Sequence, residues 1–305
     1  METRIANLRA VQRALLRWHD AHALQAPWRA SGDPYASLVA AVMAQQTQMS
    51  RVLPSYERFV AAFPTLEALA RASSGDVIRA WAGMGYNQRA VRLHRAARQI
   101  ASSGWPRTAA ELARIDGIGP FTAAIVASFA FGEAAACIDT NVRRVLGRIA
   151  GDETIDGAAL RGLAHASIAR EAPAQWNQAL MDYGAVVCTS RPKCDACVVR
   201  RWCASSERYA DGGAKRVGEE REAYRATRHV KREPPFEGST RFFRGRIIDA
   251  LRAAPPGKGV RIDALPSLIA NDHTLPSPDE LRAMLDALMA QGLAVVCGDI
   301  VSLPE

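Results

Sequence analysis

Four thiols, one carboxylate and a pair of glycines are the residues of this chain whose types and spacing could do chemistry. Cys188, Cys194, Cys197 and Cys203 follow one another as C-x5-C-x2-C-x5-C, whereas Cys137 and Cys297 stand alone among apolar neighbours. Four clustered thiols in a chain that reads as intracellular point to a metal rather than to disulfides. Zinc ribbons usually use two C-x2-C pairs and only one is present, while an iron–sulfur cluster accommodates the longer arcs. Asp139 stands directly before Thr140-Asn141-Val142-Arg143-Arg144-Val145, so it takes the N-cap position of a helix that opens with two cations. A plain cap is worth about 1 kcal/mol, and the same carboxylate could also stabilise a developing positive charge. Gly117-Ile118-Gly119 interrupts a helical pattern and lets backbone N–H groups converge at the start of the next helix, where the helix dipole favours an anion.

The elements that must position these residues are helices. At 305 residues, 49% of them hydrophobic, the chain can bury two cores. Its 39 basic and 31 acidic residues leave a net charge of +8, which suits a polyanionic partner without specifying one. No run approaches the length of a membrane span and residues 1–10 lack the apolar core of a signal peptide, so a soluble, cytoplasmic protein is expected. The four lysines are Lys193, Lys215, Lys231 and Lys258, all in the C-terminal part of the chain.

Residues 7–24 carry apolar side chains at helical spacing, and the stretch from Tyr35 to Ala44 is apolar on nearly every face before the polar run Gln45-Gln46-Thr47-Gln48. Three amphipathic helices between Val52 and Ile100 are punctuated by Thr65, by Ser73-Ser74-Gly75-Asp76 and by Gly83-Met84-Gly85-Tyr86, the last a loop with an aromatic at its tip. Thr108 opens a helix before the glycines, two more follow over 157–186, and no alternating strand pattern occurs before residue 290. The main domain is therefore expected to be all-α, with about ten helices. Residues 205–238 are polar and poor in apolar anchors and read as a linker. Beyond it, helices over 241–253, 263–270 and 278–291 and two short strands around Gly298-Asp299 suggest a small winged-helix-like fold. Its third helix carries Asp279, Glu280 and Asp286 against Arg282, which suits packing or partner binding better than a DNA groove.

The glycine hairpin, Asp139 and the closing four-cysteine loop, with the stretches WRASGDPYASLVAAVMAQQTQ, MGYNQRA, IDGIGPFTA, IDTNVRRVLGR and NQALMDYGAVVC, resemble the helix-hairpin-helix DNA glycosylases of the endonuclease III superfamily. The adenine mismatch branch is the most similar, over about residues 10–204. The resemblance implies an all-α, two-lobed glycosylase fold closed by a [4Fe-4S] loop over residues 1–204, followed by the linker 205–238 and the module 239–305. It implies that Asp139 is the catalytic carboxylate and that Ala41, Phe121 and Asn141 line the base pocket. Gln45 and Tyr86 would sit at the gap left by a flipped base, Gln46 and Thr47 beside them would bind DNA, and Gly117, Gly119, Arg143 and Arg144 would meet the DNA backbone. Cys188, Cys194, Cys197 and Cys203 would hold the [4Fe-4S] cluster, although the family usually has six residues, not five, between the first two. The implied partner is double-stranded DNA with a damaged or mismatched base, bound by a monomer at the nucleoid.

Two departures bear on the substrate. Ala41 stands where the adenine branch carries a catalytic Glu, and Phe121 stands where the strand-cleaving relatives carry a Schiff-base Lys. Adenine is a poor leaving group unless protonated, and loss of the acid forfeits about 10²- to 10⁴-fold. A uracil or thymine derivative can leave as a delocalised anion. The expectation is a monofunctional glycosylase for such a base. The alternatives are an adenine glycosylase acting opposite 8-oxoguanine with its acid placed elsewhere, and a DNA-binding iron–sulfur protein without activity.

Overall fold

Helix is the local preference wherever apolar residues recur at three- and four-residue spacing, and the breaks coincide with Pro, Gly and capping Ser, Thr or Asp. A computed structural model describes residues 5–209, 236–270 and 274–305. Up to residue 209 these contain twelve α-helices: α1 (Leu8–His22), α2 (Pro27–Ala30), α3 (Pro34–Ala44), α4 (Met49–Ala62), α5 (Leu66–Arg71), α6 (Ser74–Ala80), α7 (Gln88–Ser103), α8 (Ala109–Leu112), α9 (Pro120–Phe131), α10 (Thr140–Ala150), α11 (Gly157–Ala166) and α12 (Pro173–Val186). Four of them begin on a side chain that caps the first turn. Thr65, Ser73, Thr108 and Asp139 each accept a hydrogen bond from the backbone N–H three residues on. Among the described residues no helix is long and apolar enough to cross a membrane.

The chain divides into two compact units. One comprises Met1–Leu38, Arg107–Ala113 and Gly119–Lys231. Its core joins Leu15 and Trp18 of α1 to Leu146 of α10 and to Trp176 and Tyr183 of α12, with Trp18 meeting Tyr183 edge-on at 4.9 Å. Tyr209 is buried in this unit, its ring stacked on the Arg148 guanidinium at 4.5 Å, so the start of the expected linker is packed structure. Of the rest of that linker, residues 210–235 lie outside the described residues and 236–238 are described.

The second unit comprises Val39–Pro106, Arg114–Ile118 and Arg232–Glu305. It contains α4 to α7, with Phe59, Leu69, Trp81 and Leu93 buried, and a C-terminal module of α13 (Thr240–Ala253), α14 (Leu265–Ile269) and α15 (Pro278–Ala290). The two expected strands form β2 (Val295–Cys297) and β3 (Ile300–Ser302), but a further strand, β1 (Val260–Arg261), pairs antiparallel with β3 and gives the order β1-β3-β2. Two residues carry no alternating pattern, so β1 exists only because β3 offers it a free edge. The acidity of α15 has a structural use: Ser277 and Glu280 form a capping box, and Asp279 and Glu280 lie in the first turn, where the dipole favours negative charge.

Candidate active site and DNA interface

Asp139 caps α10, and both of its carboxylate oxygens are engaged. Oδ1 accepts the Val142 N–H at 2.7 Å and Oδ2 accepts from the Asn141 side-chain amide at 3.0 Å. Asn141 is fixed in turn by Arg144, whose Nη2 donates to Asn141 Oδ1 at 2.7 Å and to the Gly184 carbonyl at 2.6 Å while Nε donates to the Cys188 carbonyl at 2.7 Å. The close approach depends on Gly184, since a Cβ there would stand 2.6 Å from that of Asn141. Burial pushes the Asp139 carboxyl above the usual carboxylate range, partly offset by the hydrogen bonds from Val142 and Asn141 and by the Arg144 charge. A poorly hydrated carboxylate held in one orientation is suited to stabilising a cation beside it.

Arg144, expected at the DNA backbone, spends most of its donors inside the protein, on Asn141 and on the carbonyls of Gly184, Cys188 and Thr140. Arg143 is exposed but also donates inward, from Nε to the Ile155 carbonyl at 2.8 Å. The segment leading into Asp139 is pinned by Asn177, a buried residue of α12. Its Oδ1 accepts the Cys137 N–H at 3.0 Å, and its Nδ2 donates to Ser128 Oγ, the Ala135 carbonyl and the Pro173 carbonyl.

The glycines of the hairpin have different reasons to be glycine. Gly117 has φ +92, and a Cβ there would meet the Arg92 carbonyl oxygen at 2.7 Å, so folding itself requires Gly. Gly119, N-cap of α9 with Pro120 behind it, has an ordinary φ of −80 and open space where a Cβ would stand. Gly117→Ala is therefore expected to lower the melting temperature by several degrees, the equivalent of about 1–3 kcal/mol. Gly119→Ala should leave the melting temperature within about two degrees, because a Cβ there meets no protein atom, and should weaken duplex affinity by standing where a phosphate would approach the start of α9. Equal melting temperatures for the two variants would contradict this. Phe121, half-buried, occupies the first turn of α9.

In the second unit the sequence reading missed a residue that ties two loops together. The buried guanidinium of Arg89 sits between the end of α3 and the loop after α6. Nη1 donates to the carbonyls of Val42, Met43 and Gln45 at 3.0, 2.9 and 2.6 Å, and Nη2 donates to Thr47 Oγ1 and to the Met84 carbonyl at 3.2 and 3.0 Å. It also lies over the rings of Trp81 and Tyr86, at 5.5 and 5.6 Å. Both loops that it grips carry a residue other than glycine in the left-handed region, Gln46 at φ 55 and Tyr86 at φ 44. Such strain persists only where the surroundings impose it. Gln45 and Thr47 are half-buried, Gln46 is exposed and Tyr86 is 54% exposed. Ala41 is buried on α3 with 6% exposure. A signal for Arg89 was present, since it shares the apolar stripe of α7 with Leu93, Ala96 and Ile100.

The four cysteines line one pocket in the first unit, with Val145, Val187 and Val199 among its apolar walls. The Arg148 Nη1 donates to Cys188 Sγ at 3.4 Å, and the Tyr183 hydroxyl donates to Cys197 Sγ at 3.1 Å. Burial raises the thiols of Cys188, Cys194 and Cys203, the last to about 12. A metal centre reverses that preference by stabilising the thiolates. Among the described residues no three His, Cys, Asp or Glu side chains stand close enough to hold a single metal ion, so the fit rests on the shared pocket and on the all-sulfur donor set.

Residues 39–161 match the family described as HhH-GPD superfamily base excision DNA repair protein. The adenine DNA glycosylase of Mycobacterium tuberculosis is 38% identical over 254 residues, covering 79% of this chain and 78% of that protein. The chain belongs to the HhH-GPD superfamily.

It is a DNA glycosylase of base excision repair. The human adenine DNA glycosylase is 37% identical over 222 residues, and the match spans 41% of that protein's length. Among solved structures, a thermostable thymine-DNA glycosylase superposes with a TM-score of 0.62 at 28% identity, covering 66% of this chain and 97% of the other. The Mycobacterium match takes in more of the chain than the segment ending at the last cysteine, so it extends into the C-terminal residues.

Proposed function

We propose that this glycosylase releases a uracil or thymine derivative from double-stranded DNA, as a cytoplasmic monomer, with Asp139 stabilising the sugar cation and no Schiff-base step. The observation that carries the reading is the absence of a proton donor at position 41. Ala41 replaces the acid, and neither α3 nor the Gln45–Gln48 turn carries a carboxylate. His94, the other candidate acid, is buried on α7. Desolvation pulls its pKa below the usual imidazole range, and Nδ1 faces Ser74 Oγ at 3.2 Å, so it stays neutral. A pyrimidine leaving as an anion needs no such donor, whereas adenine does. The likeness to a thymine-DNA glycosylase agrees with this, and the names of the Mycobacterium and human relatives favour the second reading, adenine opposite 8-oxoguanine.

On the same proposal Gln45 and Tyr86 fill the hole left by the extruded nucleotide, and the hairpin at Gly119 seats a phosphate. Cys188, Cys194, Cys197 and Cys203 would hold a [4Fe-4S] cluster, which when bound supplies a cross-link for the fold. The decisive experiment compares wild type with Ala41→Glu on duplexes carrying adenine opposite 8-oxoguanine, and uracil, thymine or 5-hydroxymethyluracil opposite guanine or adenine. Wild type should release a pyrimidine and leave adenine, with strand breaks appearing only after alkali because no Lys occurs among residues 1–192. Ala41→Glu should gain adenine release by about 10²-fold or more. Robust adenine release by wild type would establish the second reading, and release of none of these bases would overturn both.

A further inference from the structure

Arg252 of the C-terminal module reaches the loop that carries Tyr86. Arg252, on the last turn of α13, has a side chain only 11% exposed. Its Nη1 donates to Asp249 Oδ1 at 2.8 Å, its Nε to the Ile78 carbonyl at 3.0 Å and its Nη2 to Asn87 Oδ1 at 2.8 Å. Helix α6 stops at Ala80, and the N–H groups of Trp81 and Ala82 turn to Val77 and Arg79, which leaves the Ile78 carbonyl for Arg252. The capping is reciprocal, because Arg79 Nη2 donates to the carbonyl of Ala254, the C-cap of α13, at 3.5 Å. Around this pair Ile78 is packed in one core with Phe243, Leu251 and Leu303.

Asn87 is the residue immediately after Tyr86. The loop is therefore held on two sides: Arg89 takes the carbonyls of Met84 and Gly85 and Trp81 Nε1 also donates to Gly85 at 3.2 Å, while Arg252 takes the side chain of Asn87. Tyr86 between them keeps a left-handed φ of 44 with its ring more than half exposed. A tyrosine in that conformation relaxes unless its neighbours fix it, and fixing it in advance removes the ordering cost from the step in which it enters DNA.

We propose that the C-terminal module is a brace for the Tyr86 loop, with Arg252 and Asn87 as positioning residues that hold Tyr86 ready to fill a gap in the duplex. The inference rests on the reading of Tyr86 as the gap-filling residue, and its test separates the two. The probe is a duplex in which a tetrahydrofuran abasic analogue faces 2-aminopurine, compared with an undamaged duplex of the same sequence, so the identity of the excised base does not enter. Wild type should prefer the gapped duplex and change the 2-aminopurine fluorescence on binding. Tyr86→Ala, Asn87→Ala and Arg252→Ala should each lose that preference by about tenfold, equivalent to about 1.4 kcal/mol. The double variant Asn87→Ala/Arg252→Ala should lose no more than either single variant, and affinity for the undamaged duplex should stay within about twofold. A purely structural role for Arg252 would lower the melting temperature and leave the gap preference of Asn87→Ala unchanged, which overturns the brace. Should Arg252→Ala fail to fold, Asn87→Ala carries the test, since it leaves the other bonds of Arg252 in place. Retention of the preference by Tyr86→Ala would remove the gap-filling reading and this inference with it. Loss in Tyr86→Ala with retention in Asn87→Ala would remove the brace alone.

Discussion

Asp139→Asn is expected to lower the single-turnover rate of base release by at least about 10³-fold, with duplex affinity within about twofold of wild type. Only the charge is removed from the reacting centre: the Asn oxygen can still accept the Val142 N–H that Oδ1 now accepts. The other half of the amide meets the Asn141 Nδ2, which now donates to Oδ2, and that bond is lost. Against this loss stands a gain. Because burial holds the Asp139 pKa above the ordinary carboxylate range, the folded state binds the proton more tightly than the unfolded chain. Stability therefore falls as pH rises from the ordinary value through the raised one, and the cost persists at neutral pH. The variant escapes it. The two effects oppose each other, so melting temperatures should agree within a few degrees at neutral pH. The rate of wild type should fall as pH drops through the raised pKa, since only the ionised form stabilises a cation. Retained base release in Asp139→Asn, or a rate indifferent to acid down to the ordinary carboxylate range, would remove Asp139 from the chemistry.

Cys197→Ser is expected to give a colourless, largely insoluble protein, whereas wild type purified without air should be brown and absorb near the blue end of the visible. A structural metal contributes on the order of 10 kcal/mol, comparable with the whole stability of a domain at about 5–15 kcal/mol. The substitution also disturbs Tyr183, whose hydroxyl donates to Cys197 Sγ and accepts the Val198 N–H at 2.9 Å. Tyr183 in turn packs against Trp18 and the rest of the first core. Cys297→Ser, at an exposed position outside that pocket, is the control and should stay brown. One zinc and no iron in wild type would overturn the cluster, and a brown, soluble Cys197→Ser would remove that thiol from the ligand set.

What could be read directly from the amino acids was local. The helices and their starts at Thr65, Ser73, Thr108, Asp139 and Ser277 follow from apolar spacing and from side chains that reach three residues along the backbone. The clustering of four cysteines and the order of hairpin, aspartate and cysteine loop are likewise properties of one chain segment, and they were enough to place the fold. The orientation of the site was decided only in three dimensions. Whether Arg144 faces DNA or Asn141 depends on the carbonyls of Gly184 and Cys188, which sequence separates from it by 40 and 44 residues. The apolar stripe of α7 marks Arg89 as inward-facing, but its partners, the end of α3 and the Met84–Gly85 carbonyls, are found only where these close around it. The strand β1 needs β3 as its partner, and Arg252 meets Asn87 across 165 residues of chain. A backbone carbonyl has the same chemistry in every residue, so sequence does not mark which ones a buried guanidinium will find. Their positions are set by packing of distant helices, and that is a property of the tertiary structure alone.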